Sequence, residues 1–180
     1  MTAIFLAIRG EYHAAMIALL WALFCDWFDG PIARRTANRT EDDRAFGGQL
    51  DSLVDIVCSA AAPATILLCV ADLNAWFLPG AFLLLISGAL RLAHFNIFGL
   101  RDGGDYCGLP IDTNIIVVTA VFAFRGSIGE SVFPWVLYGV VVLLAALGLG
   151  PFKTPKLVGG WYYAITAYVI GMTGFYALAV

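Results

Sequence analysis

Six apolar runs, at about residues 13–33, 47–71, 74–98, 110–124, 132–150 and 158–180, alternate with short polar breaks along this chain. That alternation limits the fold more than any motif does. A helix of about 20 apolar residues matches the hydrocarbon thickness of a bilayer, so each run reads as a membrane-spanning helix. Composition agrees: 61% of the residues are hydrophobic, 13% are charged, and the mean hydropathy is +0.87, far above what a soluble domain carries. The expected fold is an all-α integral membrane protein, a bundle of about six transmembrane helices preceded by a short helical stub, "MTAIFLAI". Residues 1–180 are read as one domain, with no length left for a soluble one. The stub is too short to span, and it lacks the basic start and cleavage site of a signal peptide.

The breaks differ in charge. Arg34, Arg35, Arg39, Arg44, Arg101, Lys153 and Lys156 fall in one set, whereas the alternate breaks hold Arg9 and Arg125. The positive-inside rule places the first set in the cytoplasm and the chain in the inner membrane. Trp21, Trp76, Trp135 and the "WYY" at 161–163 lie near run ends, as interfacial anchors do. Four cysteines (Cys25, Cys58, Cys69, Cys107) occur singly, without the spacing of a disulfide framework or a zinc site.

Against this background the acids stand out. Asp26 and Asp29 are spaced i, i+3, and Asp51 and Asp55 are spaced i, i+4, so each pair shares a helix face. The two helices are joined by a loop of about a dozen residues. Packed side by side, they bring four carboxylates together at the cytoplasmic membrane surface. Such a group needs a cation. Oxygen-only ligands point to Mg²⁺ or Mn²⁺, with Ca²⁺ possible, rather than zinc. Gly30, Ala33 and Gly47 lie on the same faces and leave clearance, and Arg34 is suited to gripping phosphate. Pro31 lies inside the expected helix, where it should kink it or break a backbone bond.

Written out, Asp26-x₂-Asp29-Gly30-x₂-Ala33-Arg34, a spacer, then Gly47-x₃-Asp51-x₃-Asp55 resembles the signature of the CDP-alcohol phosphatidyltransferases. The resemblance implies transfer of a phosphatidyl group from a CDP-linked lipid to an alcohol, with release of CMP. It further implies that Asp26, Asp29 and Asp51 are metal ligands. Asp55 is implied as a ligand close to the metal and as the general base, with Gly30, Ala33, Arg34 and Gly47 forming the cytidine diphosphate wall. The spacer between Arg34 and Gly47 is twelve residues, longer than is usual in the family, and includes Glu41, Asp42, Asp43 and Arg44, read as a solvated loop.

"FGGQLDSLVDIVCSAAAPA", "LRLAHFN" and "GLP" resemble the phosphatidylserine synthase branch over roughly residues 4–115. His94 stands where that branch often has arginine, and Ile111-Asp112 replaces its small residue and proline. The implied acceptor is serine, and Arg91 with Asn96 are the candidate partners of its carboxylate. Glycerol 3-phosphate or inositol phosphate is the second acceptor reading, weakened because only Arg91, Arg101 and Lys153 are available for another phosphate. An ion-coupled transporter would spread its acids through the membrane depth and show repeats, and neither feature is found. The expected partners are a CDP-diacylglycerol-type lipid, a small alcohol, the membrane and, by the family resemblance, a second copy of the chain, with no nucleic acid.

Overall fold

The computed structural model describes residues 1–36, 40–99, 106–154 and 159–179; Arg39, Arg101 and Lys156 lie outside the described residues, as do the side chains of Arg34 and Cys107. The chain is built from helices. A short α1 (Thr2–Ile8) turns at Gly10, where φ is +78°, into α2 (Tyr12–Arg35). Next come α3 (Glu41–Asp55), a π-helical turn (Ile56–Ala61) and α4 (Ala62–Val70), which together form one continuous rod. The remaining helices are α5 (Leu78–Phe98), α6 (Thr113–Phe122), α7 (Arg125–Ile128), α8 (Phe133–Gly148) and α9 (Trp161–Leu178). Two short strands, β1 (Tyr106–Cys107) and β2 (Lys153–Thr154), pair antiparallel with Tyr106 opposite Thr154.

Among the described residues, three stretches are long and apolar enough to cross a membrane: Tyr12–Ala33, Glu41–Val70 and Ala75–Phe98. About six spans were expected. Thr113–Phe122 and Phe133–Gly148 are apolar but shorter. The shortfall in α6 has a local cause, because Pro110, Ile111 and Asp112 are used in a turn before the helix, leaving ten helical residues, about 15 Å of rise.

The loop between the acid-bearing helices is also shorter than the sequence suggested. Thr40 caps α3: its hydroxyl accepts from the Asp43 N–H at 3.1 Å, while Asp43 Oδ2 accepts from the Thr40 N–H at 3.0 Å. This reciprocal box starts the helix at Glu41 and places Glu41, Asp42 and Asp43 in its first turn, where the helix dipole favours negative charge. The acidic run read as solvated loop is therefore helix. Only five residues separate α2 from α3.

The core is lined by Met16, Leu19, Leu20 and Leu23 of α2, Ile66 and Leu67 of α4, Ile115 and Phe122 of α6, and Phe133 and Leu137 of α8, all essentially buried. α5 packs against α8 and the π-turn, and α2 packs against α9, α1 and α6. Large apolar side chains on the outer faces, including Phe82 and Leu83 of α5 and Leu50 and Leu53 of α3, are exposed. A membrane protein presents such faces to lipid. At the Tyr12 end of α2, Arg125 sits over the Tyr12 ring at 4.5 Å and Arg9 pairs with Glu11 at 3.0 Å, while Arg35 stands at the opposite end of the same helix. Among the described residues, Arg9 and Arg125 thus stand at one end of α2 and Arg35 at the other.

Candidate metal and phosphoester site

Asp26 and Asp29 lie one turn apart in the second half of α2, and Asp51 and Asp55 in the last third of α3. Both helices present these faces to one cavity of about 260 Å³, which also receives Gly30 and Pro31 from α2 and Arg91 and Phe95 from α5. Counting back from Val70, the rod reaches Asp51 after about 28 Å, close to the thickness of the hydrocarbon core.

Two overlapping carboxylate groups emerge. One oxygen each from Asp26, Asp29 and Asp51 lies within 4.8 Å of the others, and so does one each from Asp26, Asp55 and Asp112. Asp26 belongs to both. Carboxylates at this separation repel one another unless a cation lies among them, and an all-oxygen donor set suits a hard divalent ion. The residues therefore fit the kind of metal that the sequence implied.

Asp112 is the member that sequence reading missed as a site residue. It precedes α6 and lines the cavity together with Arg91. The available signal was an acid inside an apolar block, which by default marks a functional position. Its placement is tightly specified. The Gly108 N–H donates to the Phe152 carbonyl at 2.8 Å, the Leu109 N–H to Leu147 at 3.1 Å, and Thr154 Oγ1 to the Gly108 carbonyl at 2.9 Å. On its far side, Asn114 Nδ2 donates to the Ser59 carbonyl in the π-turn at 2.9 Å, tying α6 to the segment directly after Asp55. Gly108 has φ +76°, and a Cβ there would run into the Gly148 carbonyl. Gly108→Ala is expected to destabilise the fold by more than about 1 kcal/mol and to displace the 109–112 segment. A thermal melt together with acceptor kinetics checks both effects.

Other expected residues fall in different places. Gly30 lines the cavity and Ala33 is half-buried one turn further along α2; Gly47 lies one turn before Asp51 on α3 and is not among the described residues lining the cavity. Arg34 lies in the last turn of α2. Arg91 lines the cavity, but Asn96 does not. Five residues apart on a helix, the two diverge in direction, and Asn96 instead exchanges hydrogen bonds with Ser52 Oγ at 3.1 and 3.2 Å, joining α5 to α3. His94 is exposed and packs against Phe98 in a tilted arrangement, with ring centroids 4.7 Å apart. Pro31 stays inside α2, and because it lacks an N–H it deprives the Trp27 carbonyl of its intrahelical donor without ending the helix. Trp21, Trp76, Trp135 and Trp161 are exposed, as anchors would be, but Tyr162 turns inward, lines the cavity and packs edge-on against Trp27 at 5.5 Å. The Trp27 indole N–H is buried facing Asp112, without a hydrogen bond of regular geometry.

A second cavity of about 210 Å³ touches Asp26, Asp29 and Asp55 from the other side. It is lined mainly by apolar groups of α2, α3 and the π-turn, including Leu23, Val54 and Cys58.

The chain is 33% identical over 143 residues to archaetidylserine synthase of Methanothermobacter thermautotrophicus, covering 78% of this chain and 59% of the relative. It is 30% identical over 165 residues to a CDP-diacylglycerol–serine O-phosphatidyltransferase of Helicobacter pylori, covering 87% and 66%. It is 31% identical over 147 residues to phosphatidylcholine synthase of Brucella melitensis, covering 79% and 49%. The chain thus spans about half to two-thirds of the length of these relatives. The CDP-alcohol phosphatidyltransferase family profile matches residues 1–152, and the chain belongs to that family.

Proposed function

We propose that this chain transfers a phosphatidyl group from a CDP-diacylglycerol-type lipid to L-serine, giving phosphatidylserine and CMP. The observation that carries the reading is the convergence of four acids, two from each of two neighbouring helices, on one cavity beside Arg91. Two relatives whose names specify serine transfer support the acceptor.

Asp26, Asp29 and Asp51, with Asp55 close by, would hold Mg²⁺ or Mn²⁺, whose charge offsets that of the pyrophosphate and eases departure of CMP. Asp55 accepts the proton of the incoming hydroxyl as the alcohol oxygen attacks the lipid-side phosphorus. The bond from that phosphorus to the bridging oxygen breaks, and CMP leaves with the oxygen. Gly30 and Ala33, with Arg34 from the last turn of α2 and Gly47 from the middle of α3, form the nucleotide wall. The apolar second cavity suits the lipid end of the donor, so that the acids stand between the lipid and polar sides. Catalysis is then mostly positioning and electrostatic stabilisation.

In this reading the chain is one domain of about six spans in the inner membrane, dimeric, with Arg35, Arg44 and Lys153 on the cytoplasmic side together with the site. The test is direct. Purified protein given Mn²⁺ and CDP-diacylglycerol is expected to release CMP only when an acceptor is added, fastest with L-serine. CMP release with none of serine, glycerol 3-phosphate or inositol phosphate would sink the transferase reading.

A further inference from the structure

Asp112 brings a fifth carboxylate to the cavity, on an element separate from the helices that carry the other four. Its surroundings differ from theirs. Arg91 lines the same cavity, so a guanidinium group and a carboxyl group from two different elements share it. The buried Trp27 indole N–H faces the same carboxyl group. An Asp112 oxygen is also within 4.8 Å of one from Asp55, the base in the reading above. A molecule with an ammonium group and a hydroxyl on adjacent carbons can reach both carboxylates at once.

We propose that Asp112 selects the acceptor: its carboxylate receives the ammonium group of an amino-alcohol acceptor whose carboxylate lies against Arg91, and its negative charge turns away phosphorylated acceptors. This rests on the transferase reading and deepens it. A zwitterion with no net charge meets a neutral Arg91 and Asp112 end, whereas a phosphate monoester would bring about two further negative charges against five carboxylates. The indole N–H of Trp27 is placed to donate to the acceptor carboxylate or hydroxyl. The sequence position fits this role, since the Gly108 turn and the Asn114 bond to Ser59 hold Asp112 on both sides without using its carboxylate.

The test uses the full chain with CDP-diacylglycerol and saturating Mn²⁺, and compares L-serine with 3-hydroxypropionate, which lacks the ammonium group, and with glycerol 3-phosphate. Asp112→Asn is expected to raise KM for serine by about 10- to 100-fold with kcat changed by no more than about threefold. The preference for serine over 3-hydroxypropionate should shrink by a similar factor, the relative rate with glycerol 3-phosphate should rise, and the Mn²⁺ concentration giving half-maximal rate should stay fixed. Asp112→Glu should recover part of the serine affinity, which a purely structural role would not produce. An unchanged serine KM would overturn the proposal. So would a raised Mn²⁺ requirement with serine KM restored at high Mn²⁺, because Asp112 would then be a metal ligand. A Mn²⁺-dependent thermal shift establishes that each variant is folded; if the Asn variant is not, the Glu variant decides on the same serine and 3-hydroxypropionate ratio. Wild-type protein inactive with every acceptor would mark failure of the transferase reading, whereas active wild type with an indifferent Asp112 variant marks failure of this inference alone.

Discussion

Asp55→Asn is expected to slow CMP release by about 10²- to 10⁴-fold while leaving binding of the CDP-lipid within a few-fold of wild type. The amide keeps the size of the carboxylate and can still accept a hydrogen bond, but it cannot take a proton from the acceptor hydroxyl. Asp55 ends α3 at the point where the π-turn begins, with an oxygen within 4.8 Å of ones from Asp26 and Asp112. It is thus at once close to the place where the metal would be held and open to the acceptor side. Single-turnover CMP release, paired with a thermal shift on adding CDP-lipid, separates chemistry from binding. A variant that turns over at the wild-type rate would assign the base elsewhere.

Asp26→Ala is expected to have a still broader effect, because Asp26 is the residue common to both carboxylate groups. Its removal should abolish turnover and also the stabilisation of the protein by Mn²⁺, whereas Asp29→Ala, which touches one group only, should weaken Mn²⁺ binding without eliminating it. Chelation of wild-type protein should reproduce the loss of turnover, and added Mn²⁺ should reverse it in wild type but not in the Ala variant. Isothermal titration with Mn²⁺ reads the binding without reference to activity. If the Asp26 variant binds Mn²⁺ as tightly as wild type, the cation does not sit at this cluster.

Much of the site was legible in the sequence because its spacing is helical. Three- and four-residue intervals put Asp26 with Asp29 and Asp51 with Asp55 on common faces whatever the rest of the chain does, and short connections make the two helices neighbours. What was missed depended on contacts that no local rule describes. Asp112 reaches the cavity through a turn fixed by backbone bonds to Leu147 and Phe152, far away along the chain. Tyr162 was read as an interfacial anchor from its neighbours in "WYY", yet it faces inward against Trp27. Arg91 and Asn96 pair as a cation and an amide suited to one carboxylate, but five residues along a helix point them in different directions. The start of α3 could have been found, since Thr40 followed by an acid at Asp43 has the form of a capping box. There the charge of the run outweighed its pattern. Helix lengths were less legible than helix existence: hydropathy alone could not show that residues 110–112 are used in a turn, which leaves α6 short.

The π-helical turn at Ile56–Ala61 has a further consequence for the rod that carries it. One half of that rod must aim Asp51 and Asp55 at the cavity, and the other must aim Ile66 and Leu67 into the core. A regular α-helix would lock the two directions together, since each residue advances the face by about 100°. The wider turn acts as a phase shifter between them, so each half keeps the orientation that its own neighbours require. Deleting a single residue there would rotate the acids by about 100° relative to the packing face, with every amino acid of the signature still present.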